Sequence, residues 1–503
     1  MASAMKILVT GGTGVIGQSV VRELHRRGHG IRVLSRNAGR GEAWWPSGVD
    51  GWAGDVAQEK TLHKAAEGCA AVIHVAGIVD ESPPHRTFQS VNIDGTRWIL
   101  AESERAGVQK FIYVSSLGAE RGTSAYHKSK CVAEEVVKGF SRDWVIVRPG
   151  AVYGPGDDHI SLLLRMVRTL PVIPTIGGGD QQFQPIWHRD LAQILAACVE
   201  RSDIRAVALD AGGPDITSQN DLVARMRKLT DRPAMQAPLP EFLAGWGIRA
   251  LGAIGVDVPF SEAQFDMLTE GNVVPPARDN AIDVLGIPGT TLAEGLARLV
   301  DDQPAQLPSD GVGTLERKRF WIDIDGAALD ADGLFDYVRG NFSELMPSIV
   351  EMAAEPGTQC RIDEGATLTL NLPVRGHVQV RVVEAADRRI TLLTLAGHPI
   401  AGAVRFDVLP REGPPHALRF QIEVYERPAS IVDELMLRTV GEWLQRATWI
   451  GLAENVAKAA GGNARPIETT REELSDHELG VVNTWAATLD GQLSRNSKSS
   501  GRD

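Results

Sequence analysis

Tyr126 and Lys130 stand four residues apart in Tyr126-His127-Lys128-Ser129-Lys130, and two side chains at that spacing on a helix share one face. Their types suit proton transfer. Free tyrosine titrates near 10 and is a poor base at neutral pH, but a neighbouring ammonium stabilises its anion. Upstream, the run Lys110-Phe111-Ile112-Tyr113-Val114-Ser115-Ser116 ends in two hydroxyls. In such a group Tyr126 exchanges a proton with a carbinol or carbonyl oxygen, Ser116 holds that oxygen, and Lys130 lowers the tyrosine pKa. A tyrosine–lysine pair alone is a weak signal. Behind an apolar strand that ends in serines it is much stronger.

Such a group needs elements that aim a reaction partner at it. Thr10-Gly11-Gly12-Thr13-Gly14-Val15-Ile16-Gly17 follows the apolar run Lys6-Ile7-Leu8-Val9 and precedes a helix-period stretch to about Arg27. A strand feeding a helix through glycines lets the backbone approach a pyrophosphate, and the helix N-terminus offers it unpaired N–H groups. Gly11 fits the tight turn, Gly14 the close approach and Gly17 the helix-on-sheet packing, with Thr13, Val15 and Ile16 completing the cradle. An ordinary strand-turn-helix with incidental glycines is the competing reading, and the units that follow disfavour it. Gly30 to Arg36 reads as a second parallel strand whose end falls where a dinucleotide's ribose is read. Arg36, helped by Ser35, suits a 2′-phosphate, whereas an acidic residue there would take a free 2′-hydroxyl. The sequence therefore leans to NADP, with NAD the alternative if Arg36 is a solvated strand-end residue. Asp55, followed by Val56, ends a third strand and suits the adenine amino group. Ala76 and Gly77 end a fourth, where the backbone can pass along a ribose; His74 lies inside that strand as a hydrogen-bonded core residue. Ser115 joins the cofactor contacts, and Lys130 also reaches the nicotinamide ribose.

The rest of the composition sets limits. A chain of 503 residues is too long for one ordinary core. Hydrophobic content of 43% and charged content of 23% are those of a globular protein. A net charge of -12 gives no general attraction to nucleic acid or anionic membranes, though peripheral membrane contact stays open. Cys69, Cys131, Cys198 and Cys360 are scattered, without metal-ligand spacing, and read as reduced core residues. With no signal peptide and no transmembrane run expected, the cytoplasm is the expected compartment.

Thr10 to Gly17, Tyr113-Val-Ser-Ser116, Tyr126-x-x-x-Lys130 and Arg148-Pro-Gly-Ala-Val-Tyr-Gly-Pro-Gly156 resemble the extended and atypical short-chain dehydrogenase/reductases, the NAD(P)-dependent epimerase/dehydratase-like proteins. Ile176-Gly-Gly-Gly179, Phe183-Gln-Pro-Ile-Trp187, Asp190-Leu-Ala192 and Gly271-Asn-Val-Val274 look most like the branch of the dehydrogenase-like accessory subunit of respiratory complex I. The resemblance implies a Rossmann-type doubly wound α/β sheet, with Pro149 lining the nicotinamide and the segments after residue 150 building a substrate lid. Gly177 to Gly179 read as a turn over the site. Arg148 reads as a structural hydrogen-bond partner, and His188 as a loop-to-helix residue. Leu239 to Val258 reads as a buried lid helix, or as one that rests on a membrane or admits a lipid.

Residues 1–303 are thus expected to form the NAD(P)-binding domain and 304–316, rich in proline and glycine, a linker. Residues 317–462 follow as an α+β domain: a strand at Arg319 to Ile324, a helix from Asp330 to Ala354, strands at 359–362, 367–372, 377–383, 390–396, 401–409 and 416–425, and a closing helix near 430–459. That order is similar to the helix-grip fold of START-like domains, which commonly leaves an apolar cavity; a solid core is the alternative. Residues 463–503 read as a polar, partly disordered tail.

Three functions fit. The leading one is an NADP-dependent oxidoreductase passing hydride between nicotinamide and a carbonyl or alcohol on a small or lipid-like molecule. The others are a nucleotide-sugar-type epimerase/dehydratase at the same site, and a non-catalytic NAD(P)-binding sensor or assembly protein.

Overall fold

The computed structural model describes residues 4–499 apart from 37, 39–44, 85, 158, 170–171, 231–234, 240–271, 302, 348–350, 355–361, 373–375, 414–415, 430–432, 435–436 and 438–440. The lid segment expected at 239–258 therefore lies, beyond its first residue, outside the described residues, as does most of the strand at 359–362. The chain divides into two compact units, one of residues 1–164 and 172–302, the other of 165–171 and 303–503.

The first unit is built on seven parallel strands. β1 (Lys6–Thr10), β2 (Gly30–Ser35), β3 (Asp50–Ala53), β4 (Ala71–His74), β5 (Lys110–Val114) and β6 (Asp143–Pro149) are joined by a last strand, Val207–Ala211, next to β6. Across the sheet the order is Val207–Ala211, β6, β5, β4, β1, β2, β3, so the chain reverses direction of growth between β1 and β4. In a doubly wound sheet that switch point opens a crevice at the carboxyl ends of the strands. Both faces are covered, and the alternation within each strand shows it. Ile7, Val9, Ile73 and Ile112 enter one core, while Leu8, Val72, Phe111 and Tyr113 enter the other. The register Thr10↔His74↔Tyr113 brings polar and aromatic groups together at the carboxyl end. α1 (Val15–Arg26) packs Val20, Val21 and Leu24 onto the first face.

The second unit is a mostly antiparallel nine-stranded sheet. Glu351–Ala354, Thr367–Leu372, Gly376–Ala386, Arg389–Thr394, Ile400–Pro410, Leu418–Pro428 and Leu315–Asp325 lie side by side in that order, and Asn463–Ala464 and Glu468–Leu474 pair with the last of them. One face packs on the helices Ala331–Leu345 and Glu442–Ala460 through Phe320, Ile322, Phe406, Phe420, Leu452 and Val456. There the rings of Phe342, Phe420 and Trp449 meet Phe406 at centroid distances of 5.2, 6.4 and 5.9 Å, and side chains fill the space at that level.

Two expectations change here. Asp330 caps its helix, accepting from the Gly333 N–H at 2.8 Å, but the helix ends at Leu345 and Glu351–Ala354 is a strand. Pro347 accounts for the stop, since the residue before a proline is pushed out of the helical region, and Met346 sits at φ -65, ψ 135. The polar stretch after residue 463, expected as a partly disordered tail, forms an edge strand and the helix Asp476–Ser499. Part of its apolar content forms one face: Ala486 is fully buried against Val383, Leu393 and Ala403, with Trp485, Leu489 and Leu493 beside it.

Candidate active site

The glycine turn closes as its spacing requires. Gly11 has φ +70, and a Cβ there would lie 2.9 Å from the Ala76 backbone nitrogen, so only glycine fits without moving the end of β4. A Cβ on Gly17 would lie 2.1 Å from the Gly11 carbonyl oxygen, which fixes how closely α1 approaches the turn. At Gly14 the nearest atom to a Cβ is 3.7 Å away. No side chain caps the start of α1, and its first turn carries no acidic residue. The N–H groups of that turn and their partial positive charge are left for an anion.

The turn opens into a cavity of about 790 Å³. Gly11, Thr13, Gly14, Val15, Ile16 and Gly17 line it at one wall, with Ser35, Arg36, Asp55, Val56, Ala76 and Gly77 along the strand ends, and Ser115, Ser116, Tyr126, Lys130 and Pro149 beyond them. The residues expected from sequence to hold the cofactor or take part in the reaction thus border one space. Arg36 is exposed at the end of β2, while Ser35 is buried. Asp55 is tied locally, accepting from the Ala57 N–H at 3.0 Å. A pyrophosphate-linked dinucleotide suits this donor set: a glycine cradle with no room for a Cβ at Gly11 or Gly17, an uncapped helix start, and a cation at the second strand end.

The Ala125–Lys138 helix carries the reactive pair. Ser124 caps it, accepting from the His127 N–H at 3.2 Å, and so fixes Tyr126 in the first turn facing the cavity. Tyr126 is 7% exposed and hydrogen-bonded to Ser116. Burial pushes the phenol up to about 12, with the Ser116 bond pulling the other way. Burial likewise lowers the Lys130 ammonium to about 8, opposed by the Glu134 carboxylate. Lys130 Nζ donates to the Val114 carbonyl at 3.0 Å and stands 5.0 Å from the Tyr113 ring centre and 6.0 Å from that of Tyr126. The expected lowering of the tyrosine by the ammonium is not what sets its titration here: burial raises it, and the bond to Ser116 is what opposes the rise. A phenol in this state is protonated at neutral pH and can donate a hydrogen bond.

Around this group the remaining polar residues are structural. His74 is fully buried between Thr10 Oγ1 at 2.7 Å and Thr96 Oγ1 at 3.1 Å, and burial lowers it to about 3; it is the neutral core histidine read from sequence. Arg148 Nε donates to Glu134 at 2.8 Å beneath the site. His188 opens the His188–Glu200 helix with Nδ1 2.5 Å from Ser19 Oγ; neither it nor Gly177–Gly179 borders the cavity. Sequence reasoning missed other wall residues: Ile78, Val79, Ala151, Val152, His159 and Phe183. Phe183 packs on His159 at 5.5 Å, and burial lowers that imidazole to about 4, leaving it neutral. Phe183 and Asn272, which also borders the cavity, lie in segments noted above for resemblance, and the bridge between them has no signature in spacing. Among the described residues no cluster could hold a metal ion, and no helix is long and apolar enough to cross a membrane.

Sheet order and glycine turn define a Rossmann-type doubly wound fold, and the cavity lies at the carboxyl ends of its strands. Residues 7–207 match the model of the NAD dependent epimerase/dehydratase family. The chain is similar to a ceramide reductase of Caulobacter vibrioides, 34% identical over 40% of this chain and 65% of that one. It is also similar to sterol demethylase protein B of Methylococcus capsulatus, 32% identical over 32% and 56%. A third relative is the rat mitochondrial NADH dehydrogenase [ubiquinone] 1 alpha subcomplex subunit 9, 26% identical over 50% and 68%. The chain thus spans about half to two thirds of the curated relatives it matches.

Proposed function

We propose that this protein is an NADP-dependent oxidoreductase that reduces a carbonyl on a lipid-like molecule. The observation that carries the reading is the Ser116–Tyr126 hydrogen bond facing the same cavity as the glycine turn. A bound nicotinamide cofactor would supply the hydride. The chain's own groups do the rest. Gly11 to Gly17 hold the pyrophosphate, Arg36 with Ser35 takes the 2′-phosphate, and Lys130 and Pro149 border the nicotinamide end. Tyr126, held protonated by burial, donates to the carbonyl oxygen, and the Ser116 hydroxyl donates a second hydrogen bond to that oxygen. Lys130 keeps positive charge beside the phenol as its proton leaves.

The lipid-like substrate is supported by the apolar wall of Ile78, Val79, Val152 and Phe183 and by the names of two relatives, a ceramide reductase and a sterol demethylase protein. The strand, helix, antiparallel sheet and long helix of the second unit support a helix-grip reading of its fold. Titrating the protein with NADPH and NADH by cofactor fluorescence, then assaying a carbonyl panel that includes long-chain ketones, tests the reading. It expects tighter binding of NADPH and turnover of an apolar ketone. Tight binding without turnover on any carbonyl favours the non-catalytic sensor, and stronger binding of NADH overturns the role of Arg36.

A further inference from the structure

Tyr126, Lys130 and Glu134 recur every four residues and so lie along one face of the Ala125–Lys138 helix. The first two border the cavity, whereas Glu134 lies behind it, 1% exposed. A carboxylate that deep is costly unless it is paired. Glu134 accepts from Ser115 Oγ at 2.5 Å, on the loop that also carries Ser116, and forms two hydrogen bonds with the guanidinium of Arg148 from β6. Arg148 also pairs with Glu120 at 2.6 Å and lies 3.8 Å from Asp210, and Arg278 reaches both of those carboxylates. Three carboxylates against two guanidiniums leave one negative charge over. The ammonium of Lys130, one turn from Glu134, balances it.

We propose that Glu134 is a positioning residue for the reaction at Tyr126: it pins the Ser115–Ser116 corner against the helix and, through the unbalanced charge it shares with Arg148, holds Lys130 in its ammonium form. The proposal rests on the reading of this site as one of proton transfer, but its charge half does not need a substrate. The groups facing Lys130 from other elements are the Val114 carbonyl and Tyr113 ring of β5, the neutral His74 of β4, and the carboxamide of Asn92, which like Nζ borders Gly77. From its own helix come Tyr126 and Glu134. Of these, only Glu134 carries negative charge at neutral pH, so it supplies the one full opposite charge that favours the charged amine, beside the weaker pull of the Val114 carbonyl and the Tyr113 ring. Burial works against it, which agrees with Lys130 titrating near about 8.

The test is a pH titration of Lys130 in cofactor-free full-length protein carrying ¹³C-labelled lysine, with the resonance assigned by its loss in Lys130→Arg. In Glu134→Gln the midpoint is expected to fall by about half a unit or more, while Arg148→Lys, which keeps a cation beside the carboxylate, moves it much less. An unchanged midpoint in folded Glu134→Gln overturns the proposal, as does an equal fall in both variants. If Glu134→Gln does not fold, Ser115→Ala and Glu134→Asp decide it: an unmoved midpoint in both supports the charge role, and a fall in Ser115→Ala as large as half a unit overturns it. NADPH fluorescence titration of the same samples separates this outcome from failure of the reductase reading, which would show as absent cofactor binding with the Lys130 shift intact.

Discussion

Two buried charged groups treat their charges differently. On the outer face of the second unit's sheet, Glu423 is fully buried and forms ion pairs with Arg317 and Arg405, while Asp407 takes Arg405 at 3.1 Å and Arg389 at 3.0 Å. Each carboxylate there is shared by two guanidiniums: Glu423 by two from the strands on either side, Asp407 by one from its own strand and one from the next. In the first unit Lys130 is also buried, yet its ammonium donates to a backbone carbonyl, that of Val114, and Tyr126 is bonded to Ser116. A fully paired buried charge is a structural clasp, whereas an under-paired one beside a cavity has its titration displaced toward neutrality and is completed by a ligand.

That contrast can be broken at either end. The largest effect is expected from Tyr126→Phe: about a thousandfold loss of kcat, with NADPH affinity and thermal midpoint close to those of the native protein. A comparable loss of stability in this variant would make Tyr126 a structural residue. Next comes Glu423→Leu, which removes the buried partner of Arg317 and Arg405, leaves them Glu472 and Asp407, and should cost about 2 kcal/mol in denaturant unfolding of the second unit, leaving NADPH titration untouched. The pH profile follows. Lys130, lowered to about 8, loses its charge as pH rises through that value, so kcat/KM for ketone reduction should fall on the alkaline side with a midpoint near there. Lys130→Arg should move that limb upward, since guanidinium stays charged. The smallest effect is expected from Arg36→Ser, which should raise the NADPH KM about tenfold and leave the NADH KM within about twofold.

The same contrast governs what could be read from residues alone. Gly11, Gly14, Gly17, Ser116, Tyr126 and Lys130 act within local strand-turn-helix units, so spacing was enough to find them, and the buried parallel strands announce themselves as unbroken apolar runs. Ile78, His159 and Phe183 reach the cavity from separate segments through tertiary folding, and nothing in their neighbours' periodicity marks them. The clasp around Glu423 was equally silent, because its partners Arg317 and Arg405 lie on two other strands and each charge alone resembles a solvated face. The edge strand Glu468–Leu474 escaped for a related reason: its register Leu315↔Leu474 satisfies the backbone of Leu315–Asp325, and polar side chains there suit an exposed edge. The helix Asp476–Ser499 hid its stripe of Ala486, Leu489 and Leu493 in a polar average.

The most direct measurement of the central claim is deuteride transfer. Native protein and Tyr126→Phe would be incubated with NADPH carrying deuterium at nicotinamide C4 and a panel of long-chain ketones, and the alcohols analysed by mass spectrometry. The account predicts one deuterium in the alcohol formed by the native protein and almost none formed by the variant, with NADPH bound equally by both. Deuterated alcohol formed at the same rate without the phenol, or none formed by a native protein that binds NADPH tightly, would contradict it.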